Sequence, residues 1–246
     1  MVIMRELLIA LLLCSAGLSA QDAIPAGTVL PARLNSSLDS RKSKPGHVIS
    51  ARIMQDVPLL GGKIRAGSQV IGHIVTITPA SAGGASISLQ FDTVKFAGRS
   101  VAVTTNLRAL ASMMEVQDAQ VPSTGTDRGT TFAWMNTNQV GGEAVYGQGG
   151  PVANGSQIVG EAVPGGVLVR LSARPGTSCR GPVEGNDRPQ ALWIFASDAC
   201  GVYGFSDLEV AHAGRTEPRG QITLASKQGR IHLSGGTGML LRVNTP

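Results

Sequence analysis

An all-β chain is the fold class this sequence predicts: a small antiparallel β-barrel or clip-like barrel, with a long loop insertion and a disulfide-stapled C-terminal β region. Three observations carry the prediction. Apolar and polar residues alternate over strand-length stretches, most cleanly in SISLQFDTVKF at 86–96, where Ile87, Leu89 and Phe91 share a face. Glycine reaches 32 of 246 residues while aromatics are only 4%, a balance that favours short strands and tight turns over long helices. The stretch IPAGTVLPARL at 24–34 is echoed by IRAGSQVIGHI at 64–74, each a small-residue corner, a hydroxyl and an apolar run.

Residues 1–20, MVIMRELLIALLLCSAGLSA, read as a secretory signal peptide cleaved after Ser19 or Ala20, with Arg5 ahead of an apolar run from Leu7 to Leu13. That run is short of the roughly 20 residues a spanning helix needs. Leu13 stands where a lipoprotein signal needs a small side chain, so Cys14 is not expected to be acylated. No later segment is long and apolar enough for a membrane helix, so a periplasmic or secreted protein without a transmembrane segment is expected.

From 21 to 105 the chain reads as strands and turns. TVLPARL alternates, with Pro31 restricting it to an edge or a bend. HVISARIMQDV at 47–57 sets Ile49, Ala51 and Ile53 against Val48, Ser50 and Arg52, the pattern of a half-buried strand. Gly61–Gly62 signals a hairpin. SQVIGHIVTIT follows as a long strand whose Gly72 marks a bulge or a close backbone approach. ASAGGAS at 80–86 and Ala97–Gly98 are further turns, and such short links predict antiparallel neighbours. A sheet that closes on itself removes its exposed edges, which favours a barrel.

Residues 106–162 break this rhythm. NLRALASMMEVQ predicts a short helix, with Leu107, Leu110 and Met114 at helical spacing. The Gly-, Thr-, Asn- and Gln-rich stretch after it predicts a flexible insertion or linker. Its Trp134 and Tyr146 are candidate binding aromatics, although aromatics on a loop more often pin it to the body.

Strand patterning resumes over 163–246, either completing the same barrel or forming a second domain. Arg33, Arg170 and Arg242 recur in echoes of the opening motif, as edge-protecting charges or, less simply, as a ligand-binding ring. ALWIFASDACGVYGF reads as a local core beside Cys200. Without the signal, Cys179 and Cys200 are the two remaining cysteines, and an even count in an exported chain predicts one disulfide.

The net charge is +5, and its dense patch is DSRKSKPGH at 39–47, with Arg41, Lys42 and Lys44. A nucleic-acid site pairs basic residues with stacking aromatics. The patch has none nearby, so a solvated loop is expected and nucleic acid is not, leaving a weak attraction to anionic lipid or cell-wall polymer.

Reactive constellations are sparse. The chain lacks a GxSxG elbow, HExxH and a P-loop, so catalytic residues, cofactors and metal ions are not expected. His47, His73, His212 and His232 are scattered and read as structural or exposed. Glu184 and Asp187 in VEGNDRP are the acidic pair a hydrolase or a Ca²⁺ site would use, but the residues around them are those of a turn. Asp56 and Asp92 occupy strand positions with no partner visible.

IPAGTVLPARLNSSLDSRKSKPGHVISARIMQDV, KIRAGSQVIGHIV and SISLQFDTVKFAGRSVAV together resemble the periplasmic β-barrel domain of TrbI-type conjugation and type IV secretion proteins. Matching features fall on Pro25, Gly27, Pro45, Gly46, Ala51, Asp56, Val57, Gly67, Ser68 and Gly72, over about 80 residues. Members of that family keep an uncleaved inner-membrane helix and a long proline-rich segment, for which this chain has a cleavable signal. The resemblance implies a β-barrel, an envelope location and envelope or secretion-system partners. The expected function is a non-enzymatic exported scaffold or partner-binding module, with self-association left open. An extracellular polysaccharide- or ligand-binding module is the alternative, and a hydrolase using Glu184 and Asp187 a third reading.

Overall fold

The structure, a computed structural model, describes residues 23–81, 84–120, 135–140, 142–146, 152–154, 157–163, 166–169, 176–179, 192–196 and 198–244. They are nearly all β. The first part carries β1 (Val29–Leu34), β2 (Leu38–Asp39), β3 (Val48–Ile53), β4 (Val57–Leu59), β5 (Gly62–Ile64), β6 (Gln69–Ser81), β7 (Gly84–Phe96), β8 (Arg99–Ala102) and β9 (Thr104–Ala111). A single turn and a half of helix follows, α1 (Met113–Asp118). Then come β10 (Met135–Gln139), β11 (Gly142–Tyr146), β12 (Val152–Asn154), β13 (Gln157–Val163) and β14 (Gly166–Val169). The C-terminal part holds β15 (Gly201–Tyr203), β16 (Leu208–Ala211), β17 (Ile222–Ser226), β18 (His232–Leu233) and β19 (Gly238–Asn244).

Among the described residues a 10-stranded sheet runs in the order β15-β9-β19-β1-β3-β6-β7-β17-β16, with β8 also paired to β7. Its ladders are antiparallel except β15–β9, which is parallel. Strands β8 and β9 follow one another through Val103. The segment 99–111 thus pairs first with β7 and then with β19. At the crossing, Val103 N–H donates to the Asp92 carbonyl at 2.8 Å and the Thr105 hydroxyl to the Phe91 carbonyl at 2.8 Å.

Alternation builds the main core. Ile49, Ala51 and Ile53 of β3 and Ile87, Leu89 and Phe91 of β7 are buried, as their spacing predicts, and pack with Leu30, Ile74, Leu224 and Leu241. A fully buried side chain of this size contributes roughly 1.5–3 kcal/mol. Strands β9 and β19 are covered on both faces: Leu107, Leu110, Met239 and Leu241 face the main core. Ala109, Ala111 and Leu240 join a second core with Val116, Ile194 and Phe195. The aromatic stretch expected near Cys200 lies in this second core, where Trp193 meets Phe195 edge-on with ring centroids 6.4 Å apart.

The strand expected at an edge or a bend is interior to the sheet. Strand β1 has β19 on one side and β3 on the other, and Pro31 fits because β3 first pairs at Ala32. On that side Pro31 serves only as an acceptor, its carbonyl taking the Met54 N–H at 2.9 Å. The β4–β5 hairpin turns on Leu60–Gly61, one residue earlier than Gly61–Gly62.

The helix expected over 106–117 is also corrected: β9 continues to Ala111, and only Met113–Asp118 is helical. The cause is a β-bulge. Leu240 pairs with Ala109 and Leu241 with Leu107, so Arg108 is an extra residue. It brings Leu107 and Leu110, three apart, onto one face of a strand and so imitates helical spacing. The interval expected as an insertion also contributes β9 to the large sheet and carries the β10–β11 hairpin and β12–β13.

A saturated asparagine ties the C-terminal turns to this sheet. The carboxamide of buried Asn106 donates to the carbonyls of Arg215 (3.2 Å) and Pro218 (2.9 Å). Its oxygen accepts from Gly220 N–H (2.8 Å) and the Asn244 amide (2.6 Å). Both donors and both lone pairs are used.

Candidate functional site

A cleft of about 540 Å³ opens where α1 meets the β1–β3 pair. Its floor is set by register: Arg33 of β1 stands directly opposite Arg52 of β3. Opposed residues of an antiparallel pair project from the same face with Cα atoms about 4.5–5.5 Å apart. Gln69 of β6 is opposite Arg52 in turn, extending the polar row.

The far wall is α1. Ser112 caps it, its hydroxyl accepting the Glu115 N–H at 3.3 Å, while Ser112 N–H donates to the Tyr203 carbonyl at 3.0 Å and anchors the helix start. Buried Val116 packs in the second core and also borders the cleft, with Gln117 and Gln120 lining it beside Val116. Gly238 of β19 permits this approach: a Cβ there would lie 2.9 Å from Val116 Cγ2 and 3.2 Å from Phe195 Cζ. Asn35 closes one end, held by its amide on the Ser50 hydroxyl at 2.9 Å. The lining is thus cationic and carboxamide with an apolar part from Leu34, Met113 and Val116, and it contains no carboxylate among the described residues.

The basic patch is a separate surface. Arg41, Lys42 and Lys44 are exposed on a turn organised by Asp39, itself buried. Asp39 accepts from Arg41 N–H (3.0 Å) through its side chain, and from Lys42 N–H (3.1 Å) and Ser43 N–H (2.9 Å) through its carbonyl. Arg230 reaches across the β2–β18 ribbon to the same carboxylate at 2.7 Å. The Arg230 hydrogen bond, then the Arg41 N–H, pull the Asp39 carboxyl from an ordinary 3.8 to about 2, against the opposing effect of burial. A lowered carboxyl stabilises the fold above its unfolded value and loses that contribution as pH falls toward 2. Acid unfolding of the wild type should therefore show a loss between pH 4 and 2 that Asp39→Asn lacks. Arg230→Gln should raise the Asp39 titration midpoint, followed by carboxyl NMR; an unmoved midpoint would contradict this account.

Two aspartates are held in structural contacts. Asp56 and Asp92, expected without partners, have them. Asp56 lies in the turn before β4, pairing with Lys63 at 2.6 Å and accepting from Ala66 N–H at 2.8 Å. Asp92 meets His73 Nδ1 at 2.9 Å and the Thr93 hydroxyl at 2.7 Å. A carboxylate-held imidazole is part of a hydrolytic constellation, but no Ser, Thr or Cys side chain is recorded on His73 among the described residues. His232 Nδ1 lies 3.9 Å from Asp39, and His47 and His212 are exposed. No group of three or more His, Cys, Asp or Glu is placed to hold a metal ion among the described residues.

Arg108, in the bulge, is only 2% exposed, and burial pushes its guanidinium down to about 10 against the pull of Asp198. Beside it Tyr203, raised by burial, accepts the Cys200 N–H at 3.0 Å on its phenol oxygen. Cys200 is joined to Cys179, so the expected disulfide is present. On the β1–β19 ladder Arg242 pairs with Val29, while Arg33 pairs with Gly238, four positions along. Tyr146 ends β11 opposite Met135, and Trp134, Arg170, Glu184 and Asp187 lie outside the described residues. No described helix is long and apolar enough to cross a membrane.

No protein-family model matches the chain, and no curated protein matches it.

Proposed function

We propose that this protein is a non-enzymatic exported envelope component, a β-sheet scaffold that binds a partner outside the cytoplasm, akin to TrbI-type secretion barrels. The observation that carries the reading is the cleft at β1–β3 and α1. It is open and built on a rigid sheet, and the side chains lining it are suited to holding a ligand by charge and hydrogen bonds. The Cys179–Cys200 bridge adds support, since such bonds persist in oxidising compartments. The resemblance of 24–103 to secretion-system barrels points to the same setting.

Fractionation of cells making the full chain tests this. The expected product starts near residue 21, is oxidised at Cys179 and Cys200, and elutes with envelope proteins after gentle extraction. Retention in the cytoplasm, or elution as a lone monomer under those conditions, would overturn the reading.

A further inference from the structure

We propose that the cleft between α1 and the β1–β3 pair receives an acidic peptide segment of a partner protein, with a carboxylate gripped between Arg33 and Arg52. The inference deepens the partner-binding reading and rests on it. Its basis is a conflict in the sheet: two cations stand directly opposite one another, an arrangement that destabilises an antiparallel pair. Neither side chain has an ion pair or a hydrogen bond among the described residues. Both guanidinium forks can reach one oxyanion across the strand spacing, and a carboxylate placed there turns repulsion into two charge-assisted contacts.

The rest of the cleft favours a peptide over a bare phosphate. Phosphate needs donors alone, whereas Gln117 and Gln120 offer an acceptor as well as donors, the complement of a peptide backbone. Leu34 and Met113, the latter 38% exposed, add apolar contact for a side chain. At about 540 Å³ the space suits a short segment.

Purified chain from residue 21 onward, titrated with a capped Glu-Ala-Glu-Ala peptide, its Gln-for-Glu counterpart and inorganic phosphate, tests this by NMR of the arginine Nε–Hε signals. The Glu peptide should shift the Arg33 and Arg52 signals saturably, and the other two probes should bind at least tenfold more weakly. Arg52→Gln should bind the Glu peptide at least tenfold more weakly while melting about 1–3 °C higher, because the opposed charge is gone. Phosphate binding as tightly as the Glu peptide would make this a simple oxyanion site and overturn the peptide assignment. So would an absence of shifts at both arginines, or an Arg52→Gln protein that melts lower. Should Arg52→Gln fail to fold, Arg33→Lys, which keeps charge but loses the fork, must still weaken the Glu peptide at least tenfold. Because the assay uses purified protein, peptide binding without any envelope partner in cells would separate this inference from the broader one.

Discussion

Gly72→Ala is expected to cost about 4 kcal/mol or more, enough to leave little native protein. A Cβ at Gly72 would lie 1.9 Å from the Gln90 carbonyl oxygen and 2.8 Å from Phe91 Cα, both backbone atoms of the paired strand. No rotamer can relieve that contact. The site lies within the β6–β7 ladder, at a register shift between Ile71 and Gly72, so the two strands would have to separate. Gly62→Ala is the control. Its Cβ meets nothing within 4 Å, and it should change stability by no more than about 0.5 kcal/mol. Urea unfolding followed by far-UV circular dichroism measures both, and a Gly72→Ala midpoint equal to wild type would refute the close approach.

Removing the bridge should have the second-largest effect. Cys179 and Cys200 are 21 positions apart, and closing a loop of that size adds about 3 kcal/mol in the chain-entropy description. The bond also fixes a local arrangement. Thr177 and Val202 exchange two backbone hydrogen bonds, at 3.0 and 2.8 Å, and Gly176 N–H donates to the Cys200 carbonyl at 2.8 Å. These hold 176–179 against β15, an end strand of the sheet. Cys179→Ser with Cys200→Ser should therefore lose about 3 kcal/mol, and reductant should destabilise the wild type but leave the double variant unchanged. Equal stability of oxidised and reduced wild type would contradict this.

Local chemistry was readable in the sequence, and long-range pairing was not. Alternation located β3 and β7 with the correct inward faces, and the lone glycine of a long strand marked the close approach and register shift in the β6–β7 ladder. Misreadings arose where a distant partner decides the outcome. Pro31 suggested an edge because nothing nearby reveals β19 as the neighbour of β1. Arg108 disguised a strand as a helix because an inserted residue resets the period. Asp39 showed no hint of Arg230, which is 191 positions away. The cleft was missed for the same reason. Arg52 read as one outward residue of β3 and Arg33 as part of a repeat, and only the register of two separated strands opposes them. The available signal was an arginine among the alternating residues of each of two neighbouring strand stretches, TVLPARL and HVISARI.

Because β1 is flanked by β19 and β3, one of its two neighbours follows it closely in sequence while the other is made only after β18. A chain emerging N-terminus first can form the local β6–β7 hairpin early, yet β1 stays half-paired until residue 244 has arrived. Pairing on both sides of β1 is thereby deferred until β19 is made, and joining strands so far apart in sequence makes that docking slow. A product lacking β19 would leave one side of β1 unpaired and become a substrate for quality-control proteases.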